Sequence, residues 1–311
     1  MDGFLFSNAF YLENFGILAL FLALLGILLF SSRNKDIFYQ TGWSSLVSWA
    51  YVLPVLFVVF ALPKPWPLVA LAIFSVLASK TFFQMVGMYH RHWFVGFEYI
   101  LIVVTAWFLH AGADYLNVFY ALPMVALFAF ILIPIFMNNV THMVQYISLS
   151  VICYSLFGWF YLHGGRILYL DHGLYIIIYL YTLSELSVAV CASLSLKFGK
   201  INLRNKINSK IKLEGFIVAA LVTLVAAWGW RRMLPERDEL DWICAGLIAV
   251  IFSVIGDWTL SIIRKDLGIK DQGVFIIGRG DILSRVSKVI FVYPAYYYFL
   301  QILPWMERQL Q

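Results

Sequence analysis

Residues 117–137 read NVFYALPMVALFAFILIPIFM, a run without a charged side chain. As a helix it is long enough to cross a hydrocarbon core about 30 Å thick. The chain repeats this pattern on both sides of it. Further apolar runs between polar breaks fall at 14–32, 43–62, 66–79, 94–111, 143–163, 172–195, 215–230, 242–263 and 286–303, giving about ten spans. Composition agrees: of 311 residues, 62% are apolar and 13% charged, against about half and about a quarter in soluble domains. Such a chain cannot hide its apolar surface in a water-soluble fold, which excludes a soluble enzyme, a secreted disulfide scaffold and a disordered tail. The fold class is an all-α polytopic integral membrane protein.

Charge sets the expected orientation. With the N-terminus outside, the inward loops hold Arg33, Lys35, Lys80 and Arg91, then Lys197, Lys200, Arg204, Lys206, Lys210 and Lys212. They also hold Arg264, Lys265, Lys270, Arg279, Arg285 and Lys288, leaving Lys64, Arg166, Arg231, Arg232, Arg237 and Arg308 outside. Cytoplasmic loops collect Lys and Arg, so both termini are expected outside. The net charge of +5 then reads as this loop excess, with no nucleic-acid partner implied. Asp2 and Glu13 stand where a signal peptide carries cations, so the first run is expected to be a span. Cys153, Cys191 and Cys244 fall inside apolar runs and read as small core hydrophobes. The chain reads as one membrane domain, residues 1–170 forming N-terminal spans and 171–311 carrying two long basic loops where charged substrates would be handled.

Ionisable groups at membrane depth are costly and are functional candidates by default. Glu98, Glu185 and Asp257 qualify, with an interhelical hydrogen bond as the plainer role for the first two. Asp257 follows Gly256 and precedes Ser261, Arg264 and Lys265, spacings that share one helix face. A carboxylate, a hydroxyl and two cations on one stripe suit a metal ion with its phosphates. They equally suit a span end with basic anchors reaching to the headgroups. Downstream, Lys270-Asp271-Gln272-Gly273 is followed by Gly278-Arg279-Gly280-Asp281, where glycines flanking an arginine let backbone N–H groups approach a phosphate.

The segment from Gly256 to Ser287 resembles the C-terminal signature of phosphatidate cytidylyltransferases, also called CDP-diacylglycerol synthases. The matching residues are Gly256, Asp257, Ser261, Lys270, Asp271, Gly273, Gly278, Gly280 and Arg285, with the basic pair swapped as Arg264-Lys265. A weaker likeness lies upstream, where Lys206 fits a basic position and Glu214-Gly215 ends the first long loop. Together the matching segments cover roughly residues 182–300. The resemblance implies condensation of CTP with phosphatidate to CDP-diacylglycerol and pyrophosphate, with Mg²⁺, and a homodimer. It also implies Asp257 and Asp271 as catalytic residues. Asp257 would carry metal, and this chain's own Asp281, at a position where the family has glycine, is the candidate to join it. Ser261, Arg264, Lys265, Lys270, Gly278, Arg279, Gly280, Arg285, Lys206 and Glu214 would meet nucleotide and phosphate.

The departures fall on the same signature. The family's histidine is Arg279, the second glycine of that pair is Asp281, and the two closing aspartates are Ser284 and Ser287. Upstream, Val188 replaces an acidic residue, and Asn208, Ser209, Ile211 and Lys212 replace Ser, Pro, Lys and Thr. A neutral hydroxyl is a poor substitute for a carboxylate toward Mg²⁺, so catalysis is expected to be altered or lost. Asp281 and Arg279 offer a rebuilt site; a non-catalytic homologue that binds an acidic phospholipid is the alternative. A lipid or solute transporter using Glu98 and Glu185 is a further reading, although no inverted repeat is visible. Short loops favour a bacterial inner membrane.

Overall fold

The computed structural model describes residues 5, 8–32, 37–112, 115–204, 207–234, 239–268 and 282–310. They form α1 (Ala9–Ser32), α2 (Ile37–Ala61), α3 (Trp66–Met85), α4 (His92–Ala111) and α5 (Leu116–Met137). Then come α6 (Met143–Cys153), a π-helical segment Tyr154–Phe160, α7 (His163–Leu168) and α8 (Gly173–Phe198). A hairpin of β1 (Asn202–Arg204) and β2 (Asn208–Lys212) leads into α9 (Leu213–Gly229), α10 (Glu239–Asp266), α11 (Ile282–Ile290) and α12 (Val292–Leu310).

Among the described residues, six helical stretches are long and apolar enough to cross a membrane: 66–85, 92–111, 117–137, 143–168, 173–198 and 239–266. Their outward faces are apolar, with Phe136 82%, Met124 78% and Ile135 66% exposed. Such faces suit lipid, where apolar side chains need no burial against protein. Ser75, Ser79, Thr105, Ser150, Ser184 and Ser187 turn inward and are buried. Small polar residues of this kind let helix backbones approach closely and bond across them. One such bond runs from Ser75 Oγ to the Phe157 carbonyl at 2.6 Å, tying α3 to the π-helical segment. The three cysteines are free, with Cys153 and Cys191 buried.

α8 lies at the centre of the C-terminal half, packed against α2, α9, α10 and α11. Two local features depart from the spans expected from sequence. The basic loop after α8 contains the antiparallel hairpin, pairing Asn202 with Lys212 and Arg204 with Asn208. The run 286–303 is broken between Ile290 and Val292. Pro294 explains that break, because its ring collides with the carbonyl four residues back, at Ile290, and it has no N–H to donate. Pro294 itself sits in the first turn of α12, where no donor is needed.

Candidate active site at the crossing of two helices

Asp257, Ser261, Arg264 and Lys265 all lie on α10, so the stripe expected from their spacing is helical. α11 carries Ser284, Arg285, Ser287 and Lys288 against it. The two helices touch at Gly256. A Cβ there would stand 1.9 Å from the Ser287 carbonyl oxygen and 3.0 Å from its carbon. The glycine is therefore required by backbone contact. Gly256→Ala is expected to cost about 1–3 kcal/mol, since the crossing must open to admit the methyl. A thermal unfolding midpoint equal to that of the unmodified protein in the same detergent would contradict this.

The crossing brings signature residues of both helices together. Arg264 Nη2 donates to Ser284 Oγ at 3.1 Å. Ser287 Oγ donates to the Ser284 carbonyl at 3.2 Å, and Ser287 is buried. Asp257 is half-buried and close enough to Cys191 of α8 to interact with it electrostatically. Lys206, Lys270, Asp271, Gly278, Arg279, Gly280 and Asp281 lie outside the described residues.

Three participants, Glu185, Tyr181 and Lys288, were not placed in the site by sequence reading. Glu185 of α8 is buried and accepts from Arg285 Nη1 at 3.2 Å and from Lys288 Nζ at 2.6 Å. Tyr181 Oη donates to the same carboxylate at 3.4 Å. Arg285 and Lys288 are three apart and share a face of α11, a signal visible in the sequence. Their acceptor lies 100 residues away from Arg285, which no local pattern reveals.

The hairpin docks beside this site. Ile211 is buried with Cys191, Ala219 and Val254, joining β2 to α8, α9 and α10. The Lys212 N–H donates to Ser195 Oγ at 3.0 Å. Gly215 is needed here too, since a Cβ would stand 2.1 Å from Ser195 Oγ and 2.7 Å from Ser195 N. Glu214, just ahead of the apolar run of α9, accepts from the N–H groups of Lys200 at 3.0 Å and Ile201 at 3.1 Å. Its own backbone N–H first, then these two, hold its carboxyl below the usual range. Glu214 thus closes the base of the hairpin.

For a magnesium ion, the described residues of the crossing offer one carboxylate, Asp257, and hydroxyls at Ser261, Ser284 and Ser287. Among the described residues, no group of three His, Cys, Asp or Glu side chains is placed to hold a metal. The site's described chemistry is a pair of cations anchored by a buried carboxylate, a third cation on a hydroxyl, and one acidic residue.

An apolar groove of about 250 Å³ adjoins this cluster. It runs along α2 and α3, from Tyr51 to Phe60 and from Pro67 to Leu77, and is closed by Ile282, Val286 and Val289 of α11. Arg285 also lines it, with Tyr181 beside it. Tyr51 and Val55 are 62% and 47% exposed on the bundle's surface, so the groove reaches the face that meets lipid.

Comparison with known proteins places this architecture. Residues 43–303 match the model of the cytidylyltransferase family. The chain is 27% identical over 133 residues to the phosphatidate cytidylyltransferase of Haemophilus influenzae, covering 41% of this chain and 46% of that one. It is 26% identical over 159 residues to that of Staphylococcus aureus, covering 50% and 59%. It is also 31% identical over 108 residues to the uncharacterized protein YnbB of Escherichia coli, covering 33% and 36%. The matches thus span between about a third and three-fifths of these relatives' lengths. With the family model spanning most of the chain, this membrane protein belongs to the cytidylyltransferase family.

Proposed function

We propose that this protein is a phosphatidate cytidylyltransferase-type protein of phospholipid metabolism, with chemistry altered at the α10–α11 crossing. The observation that carries the reading is Arg285, a cation that lines an apolar groove reaching the lipid-facing surface. A phosphate on a diacylglycerol needs that combination: a guanidinium fork for the headgroup and an apolar wall for a chain. Arg264, held on Ser284, is the second phosphate contact, and Ser261 orients the headgroup. CTP is the second substrate. Asp257 with Asp281 would hold the magnesium ion that the family resemblance implies, and that ion would neutralise the triphosphate. Lys265, Lys270, Arg279, Lys206 and the glycines Gly278 and Gly280 complete the nucleotide's surroundings. Asp271 assists metal or ribose.

The arrangement is read as ten spans with both termini outside, in a bacterial inner membrane, with the chain paired as a homodimer. The basic ends of α8, α10 and the hairpin then share the cytoplasmic side.

The second reading, a lipid-binding homologue without turnover, is favoured by Ile211. It stands where the family carries a lysine and is 3% exposed, so that position anchors the hairpin instead of reaching a phosphate. Pyrophosphate release from CTP and phosphatidate by the purified full chain with Mg²⁺ separates the readings, with Ser284→Asp run alongside. Ser284 is the position to restore, because its new carboxylate would face Arg264. At the buried Ser287, an aspartate would lose hydration at a cost of several kcal/mol, on the order expected for a buried charge. Release by the unmodified chain supports a rebuilt site. Release by Ser284→Asp alone shows a retained pocket that lacks a ligand. Silence from both, with phosphatidate still bound, supports the second reading, and failure to bind phosphatidate overturns the proposal.

A further inference from the structure

The N-terminal helices carry a polar feature that the site at the crossing does not use. Arg91, at the start of α4, and Glu98 and Thr105 within it are seven residues apart and share one face. On α6, Tyr146, Ser150 and Cys153 recur at helical spacing, with Tyr154 following. The two faces meet at both ends. Arg91 Nη2 donates to Tyr146 Oη at 3.0 Å, and Thr105 Oγ1 lies 2.7 Å from Tyr154 Oη.

Glu98 sits between these contacts and is fully buried. Ser79 Oγ of α3 donates to its Oε1 at 3.4 Å, while its Oε2 has no hydrogen-bond partner. Ser150 Oγ and Arg91 Nε are likewise buried without partners. The titratable groups that interact with Glu98 are Cys153, Tyr99 and Tyr154, all neutral in their ordinary forms. Charged or basic groups on the packed elements are turned elsewhere. Lys80 of α3 lies over the Tyr89 ring, His163 of α7 meets Tyr298, and Arg166 meets Tyr297. α5 contributes no charged residue. Glu185 shows the contrast, a carboxylate equally buried but held by two cations.

A carboxyl group with no cation hydrogen-bonded to it is costly to ionise in the membrane interior. We propose that Glu98 is a proton-binding site. The file of Arg91, Tyr146 and Ser150 connects it to the membrane face where α4 begins. The ligand is the proton itself, delivered from water along those polar groups.

Infrared difference spectra of the full chain in lipid nanodiscs test this, with Glu98→Gln as reference and Glu98→Asp as a second acid. The expected result is the C=O band of a protonated carboxylic acid, absent from Glu98→Gln and recovered at a shifted position in Glu98→Asp. The band should shift in heavy water and fade as pH rises. Ser150→Ala should keep the band and slow the heavy-water shift several-fold. No such band, or one indifferent to heavy water and pH, overturns the site. Exchange in Ser150→Ala at the unmodified rate overturns the connecting file. Neither readout depends on cytidylyl transfer, so this inference stands or fails apart from the proposed function.

Discussion

If the chain releases pyrophosphate from CTP and phosphatidate as proposed, Asp257→Asn is expected to remove that magnesium-dependent release while leaving the fold intact. The substitution keeps the size of the side chain and its place on α10, but exchanges an anionic oxygen pair for a neutral amide. Magnesium takes hard, anionic oxygens, and Asp257 is the carboxylate of this crossing among the described residues. Loss of an outer-sphere partner alone costs a metal site about 10–100-fold in affinity or activity. Removal of a direct carboxylate should cost about a hundredfold or more, equivalent to roughly 3 kcal/mol at the barrier. The measurement is the steady-state rate with CTP and phosphatidate across a magnesium titration. A lost rate that returns at high magnesium assigns Asp257 to the metal. An unchanged rate in an active preparation removes Asp257 from the site.

Glu185→Gln should produce the largest loss of stability, about 3–5 kcal/mol, the range for breaking a buried ion pair from one side. The glutamine occupies the same volume, so the cost is electrostatic. Among the described residues Lys288 has no other carboxylate partner, and its ammonium would remain in an apolar crossing. The pairing of Glu185→Gln with Lys288→Met should recover part of that loss, because the stranded cation is then gone. Chemical or thermal unfolding in a fixed detergent reads both. A single-variant cost below about 1 kcal/mol would show that water reaches the cluster and screens it.

Much of the helical framework was legible because hydropathy acts over whole spans. The runs at 66–79, 94–111, 117–137 and 242–263 each fall within a helix, 172–195 begins one residue ahead of α8, and 143–163 covers α6 and the π-helical segment. The stripe from Asp257 to Lys265 was legible because a helix repeats every 3.6 residues. The hairpin was not, since its short strands sit in a lysine-rich loop where charge masks the alternation of Leu203 and Ile211 with polar neighbours. The break before α12 was written in Pro294 but outweighed by the hydrophobicity around it. The partnership of Glu185 with Arg285 and Lys288 was out of reach, because each residue reads alone as a span-depth acid or an anchoring cation. Only the packing of α11 on α8 joins them.

That partnership bears on how such a site can be inherited. The signature from Gly256 to Ser287 looks self-contained, yet one of its cations takes its position from a helix that lies wholly before it. A transplant of α10 and α11 into a relative would move Arg285 without the carboxylate that aims it. The recipient would have to supply an acid at the same depth of its own α8. Recombination among members of this architecture should therefore preserve the cluster when the exchanged block begins upstream of residue 185, or when the recipient's own α8 already carries that acid.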